Sequence, residues 1–193
     1  MKVEKSPFPP DEALLRESLS EVVLSPGTAR PVCGPACELA RRQDCSPACP
    51  ALPQALSSDP EKHPIEDRIA PLVFVLKQLA VFEPCWSCEG HNDGSGQLWK
   101  SPQIWFYARA EVYARLLADC LTDLTFRNLL SARWQVAVLQ SDPNNPATTF
   151  ALQPAFIEEL PTLSTLQADI DGLVAQLPAR YRERAAKLLH GVS

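Results

Sequence analysis

Proline is spread so unevenly along this chain that it divides what the chain can fold into. Twelve of the 19 prolines fall in the first 71 of 193 residues. There their missing N–H donors and fixed φ rule out long helices and central strands. The exception is Asp11 to Val23, where Leu14, Leu15, Leu19 and Val22 lie near one face and predict a short amphipathic helix. Residues 24 to 62 then mix Pro, Gly, Ser and Cys without a sustained period. A loop of that length in a compact protein needs something other than regular structure to order it.

The same stretch carries an internal repeat, Cys33-Gly-Pro-Ala-Cys37 and Cys45-Ser-Pro-Ala-Cys49. It gathers four of the seven cysteines. Cys33, Cys37, Cys45 and Cys49 have the number and proximity for one tetrahedral zinc centre, and each central proline bends its pair toward a common point. The x3, x7, x3 spacing matches that chemistry rather than a named zinc motif. An iron–sulfur cluster also takes four thiolates and is the alternative, although the x2 spacings of bacterial cluster-binding runs are missing. A disulfide or redox pair ranks third. A bound metal would order residues 24 to 62 into a surface able to dock a protein partner.

A second constellation follows at Cys85-Trp-Ser-Cys88-Glu-Gly-His91. Three donors, Cys85, Cys88 and His91, with an open fourth position have the layout of a catalytic zinc site. Glu89 is placed to act as general base, and His91 doubles as candidate ligand and catalytic group. The plain reading of the same residues is a strand end with packed thiols and solvated Glu89 and His91. Either group could also complete the other in a two-metal cluster.

Pro84-Cys85-x-x-Cys88, preceded by Glu83, resembles the second half of the motif of zinc-dependent nucleobase deaminases over about eight residues. That family also needs an upstream His-x-Glu. The nearest candidate, His63-Pro-Ile-Glu66, is one residue too long. The family continues its motif into a helix, whereas Gly90 to Gly96 breaks the chain at once. With these two departures the resemblance is not adopted.

After Pro64 the pattern is that of a packed domain. Ile65, Ile69, Leu72, Val73, Leu76 and Leu79 recur at helical spacing, with a start at His63-Pro64 and a kink at Pro71. Residues 80 to 88 predict a strand, Gly90 to Gly96 a turn, and Gln103 to Ala108 a buried strand. Tyr113, Leu116, Leu117, Cys120, Leu121 and Leu124 form the stripe of a helix over 110–130, which places Cys120 in the core. Strands are expected at 133–139 and 148–153 around an Asp142–Pro146 turn. A helix from Leu163 to Leu177 and a last one opened by Pro178 complete the chain. The fold expected is α+β: an antiparallel sheet of about four strands (a ββαββ core) packed with helices, plus the irregular Pro/Cys-rich segment. Residues 1–62 form that segment and 63–193 the core domain.

A net charge of −5 carries no basic excess of the kind that marks nucleic-acid binding. The amino terminus lacks the apolar run of a secretory leader, and no stretch approaches a membrane span. The chain therefore reads as a cytoplasmic product starting at Met1, where clustered thiols bind metal more often than they form disulfides. The function expected is zinc binding, with the four-cysteine site ordering an interaction surface. The alternative is a metal-dependent hydrolase at Cys85, Cys88, Glu89 and His91.

Overall fold

A computed structural model describes residues 11–24, 65–139, 148–155 and 161–191. The Cys33–Cys49 repeat, His63 and the Asp142–Pro146 turn lie outside these residues. Their order is α1 (Glu12–Leu24), α2 (Ala70–Gln78), β1 (Phe82–Cys88), β2 (His91–Asn92), β3 (Leu98–Lys100), β4 (Gln103–Ala108), α3 (Glu111–Phe126), β5 (Trp134–Val138), β6 (Thr149–Pro154) and α4 (Leu163–Gly191). The sheet is antiparallel with strand order β1-β4-β6-β5, and β2-β3 form a separate two-stranded ribbon. The fold is α+β.

Alternation decides which face of the sheet is covered. In β4, Ile104 and Phe106 are buried while Gln103, Trp105 and Tyr107 are half-buried. Their partners in β6, Leu152 and Phe150, are buried as well. The helices pack on that face. α2 is unusual in being apolar on every side: Ala70, Leu72, Val73, Phe74, Val75 and Leu76 are all buried. A helix of that composition must be enclosed rather than laid on a surface, and it packs against both β1 and α4. α1 docks against α4 and α3, and its Leu19 and Val22 belong to the same core.

Two proline expectations change. Pro71 lies in the first turn of α2 instead of kinking a longer helix, because a residue without an N–H loses nothing there. Residues 65–69 form a turn before it, pinned by buried Ile65 and Ile69. Pro178 lies inside one continuous α4 instead of opening a new helix. Leu173 and Leu177 before it, and Tyr181 and Ala185 after it, are all fully buried. The burial of both halves, about 1.5–3 kcal/mol per large apolar side chain, outweighs the ~3 kcal/mol an internal proline costs. The Gly90–Gly96 segment also differs from a plain turn, since His91–Asn92 within it form β2, which pairs with β3 across a tight reversal at Asp93–Gln97.

Asp169 is 4% exposed and joins α4 to the α3–β5 connection. Its carboxylate accepts hydrogen bonds from Ser131 N at 2.7 Å, Ala132 N at 2.8 Å and Trp134 Nε1 at 3.0 Å. Asn128, at φ 55°, closes α3 with paired bonds from Asn128 N to Thr125 O and Leu129 N to Leu124 O. The chain thereby enters β5 with the two amides aimed at Asp169. Replacing Asp169 by Ala leaves two buried donors, Ala132 N and Trp134 Nε1, and the partly buried Ser131 N unpaired, and is expected to lower the unfolding free energy by ~3–5 kcal/mol. Urea denaturation with an unchanged m-value checks it; a loss below ~1 kcal/mol contradicts it.

Burial pushes the Cys120 thiol up from 9.0 to about 12. Burial, then the hydrogen bond to Glu21, pushes the Tyr113 phenol up from 10.0 to about 12. Both groups keep their protons in the folded chain at pH values where the unfolded chain has lost them. Their contribution is therefore complete below about pH 9 and is lost as pH rises toward about 12. The urea midpoint should fall across that window, with a shallower slope in Cys120→Ala; an unchanged slope in the variant contradicts the assignment to Cys120.

Candidate metal centre

The Cys85–Cys88 segment is shaped by a β-bulge. Pro84 pairs with Phe106 and Trp86 with Trp105, so the register slips by one residue at Cys85. Before the slip, Phe82 and Pro84 are buried. After it, Ser87 pairs with Ile104 and takes the core side, where its hydroxyl has no partner among the described residues. Trp86 and Cys88 then share the opposite face of β1. Without the bulge Cys88 would have continued the core row of Phe82 and Pro84. A proline inside a strand is the sequence mark of such a bulge.

Beyond Cys88 the chain turns at Gly90, at φ +86°. A Cβ there would lie 2.7 Å from Leu163 Cδ1 and 2.8 Å from Pro102 Cδ. Glycine is required for both the left-handed conformation and this close approach. The Gln167 side chain of α4 reaches Glu89 O at 3.4 Å. His91 then starts β2 opposite Lys100 of β3. Lys100 Nζ lies 4.7 Å from the centre of the Trp86 ring, which packs on Trp105 at 4.6 Å. The ribbon is tied off by Asp93, whose Oδ1 accepts from Ser95 N, Ser95 Oγ and Gln97 N at 2.6–3.0 Å. Those bonds, Ser95 first, hold its carboxyl below the usual range.

The third element is the 65–69 turn. Glu66 Oε1 lies 3.1 Å from His91 Nε2, and Oε2 accepts the Glu89 N–H at 2.7 Å. Glu66, Cys88 and His91 form a group whose potential ligand atoms all lie within 4.8 Å of one another. Cys88 is fully buried, while the Glu66 and His91 side chains are 15% and 37% exposed. The group is thus closed on the Cys88 side and open to solvent along His91. Burial is the main cause that pushes the Cys88 thiol up; the Gly90 N–H opposes it, Glu66 adds to it and Lys100 lowers it.

Of the residues singled out from sequence, the structure brings Cys88 and His91 together and places Cys85 outside the group, at the bulge. The Cys85 thiol is half-buried and also pushed up, chiefly by burial. Glu89, expected beside the centre as a base, turns to accept the Arg68 N–H at 2.9 Å. The carboxylate in the group is Glu66, which sequence spacing could not supply because it precedes Cys88 by a whole helix and strand. Its only trace was the His63-Pro-Ile-Glu66 segment. Trp86 and Trp105 line the neighbouring sheet face, while Trp99 is 72% exposed. No helix among the described residues is long and apolar enough to cross a membrane.

One sulfur, one imidazole nitrogen and one carboxylate make a donor set that a metal ion can use. The site is read from its own geometry, because comparison with family models, curated proteins and solved structures finds no match to this chain.

Proposed function

We propose that the chain is a zinc-binding protein whose metal is held by Glu66, Cys88 and His91. The convergence of these three donors from the 65–69 turn, the end of β1 and the start of β2 carries the reading. Zinc is favoured over harder cations by the thiolate and over iron–sulfur chemistry by the single sulfur. Binding would replace the contacts of Glu66 with Cys88 and His91 by bonds to a common ion, with the Glu89 N–H still orienting the carboxylate.

A hydrolytic role is the second reading. It is favoured by the solvent-facing edge at His91, where a fourth ligand, a water, would sit. The alternative of a thiol nucleophile is weaker, since Cys88 is wholly buried and burial disfavours its thiolate. The Cys33, Cys37, Cys45 and Cys49 centre remains a separate proposal, resting on its repeat alone, as does a protein partner for the surface it would order.

Metal content per chain, measured on protein purified without chelator, tests the reading. Cys88→Ser and His91→Ala should each lose about one zinc equivalent relative to the parent, and Cys85→Ser should lose none. Circular dichroism of each variant separates metal loss from unfolding. Retention of the parent zinc content in folded Cys88→Ser and His91→Ala would overturn it.

A further inference from the structure

On the side of the helical layer formed by α1, α3 and the end of α4 lies a groove of about 560 Å³. Its floor and walls are apolar, with Leu14, Leu15, Val112, Leu116 and Leu188 among the lining residues. Leu14 is 61% exposed and Leu188 38%. Its rim is acidic: Asp11, Glu111 and Asp119 face a single cation, Arg115. Asp119 is shared with Arg184 at 3.1 Å, and Asp11 Oδ1 caps α1 through Ala13 N and Leu14 N.

We propose that this groove is the docking site of the chain's own residues 1–10. Three observations select that occupant. The first is where the segment ends: its last residue, Pro10, precedes Asp11, which itself lines the groove. The second is reach. From Asp11 to Leu19 the α1 wall runs for about 12 Å at 1.5 Å per residue, whereas ten extended residues span up to about 35 Å. The segment can therefore fold back along the whole wall. The third is complementarity. Met1 to Pro10 offers Val3, Pro7 and Phe8 to the leucines, and Lys2 and Lys5 against Glu4 to the acidic rim. Phe8, three residues before the capping Asp11, is near enough along the chain to reach Leu14 or Leu15 on the first turns of α1.

The docked segment covers leucines that the helical layer otherwise leaves in water, and it fixes the start of α1. Nuclear Overhauser spectroscopy on the full chain, with Leu and Val methyls labelled, tests this. The expected result is cross-peaks from the Phe8 ring to methyls of Leu14, Leu15 or Leu188. Phe8→Ala should also remove ring-current shifts from those methyls, with the Leu173 and Leu177 methyls of the core unmoved. Three results would overturn it. The first is absence of Phe8 cross-peaks to the groove. The second is groove cross-peaks that come instead from residues 25–64. The third is groove shifts that depend on protein concentration, which would assign the groove to a second copy.

Discussion

The enclosure of α2 sets the geometry on which the candidate centre depends. A nine-residue helix with six buried apolar side chains is stable only if it is covered on opposite sides, and β1 and α4 supply that cover. The turn that leads into it cannot drift, because Ile65 and Ile69 are buried in the same core. Glu66 lies between those two anchors, so its carboxylate is delivered to the end of β1 as a consequence of packing. A reciprocal pair of bonds completes the placement: Glu89 N donates to Glu66, and Arg68 N donates to Glu89. These are charge-assisted backbone bonds, stronger than neutral ones. By contrast, the exposed pair of Arg68 and Asp171 at 3.5 Å adds little.

The second determinant is local. A one-residue slip at Cys85 turns Cys88 off the core row, and Gly90 then reverses the chain tightly enough to return His91 to the same point. Neither feature stabilises the fold. The slip leaves the Ser87 hydroxyl buried without a partner among the described residues, a cost of ~1–3 kcal/mol. Gly90 sacrifices backbone entropy. Local costs gathered around one group of donors are what a functional site imposes on a fold.

Much of the architecture is legible from pattern alone. The Gln103–Ala108 strand has the expected bounds, the Tyr113–Leu124 stripe is buried, and Cys120 is in the core, because periodicity reports burial directly. The prolines misled. Pro71 and Pro178 have the same backbone chemistry wherever they occur, and only tertiary burial on both sides decides whether a helix starts at a proline or runs through it. The site was half legible for a similar reason. Cys88 and His91 are three residues apart, a separation that local spacing can read. Glu66 reaches them only through the packing of α2, and the bulge that removes Cys85 depends on pairing with β4.

Cadmium-113 spectroscopy on the full chain addresses the central claim most directly, since each site in one protein gives its own resonance and scalar couplings identify its ligands. The account predicts a cadmium resonance coupled to the Cys88 β protons and to the His91 ring protons, distinct from any signal of the Cys33–Cys49 repeat. A metal-saturated chain in which no cadmium couples to either residue would contradict it.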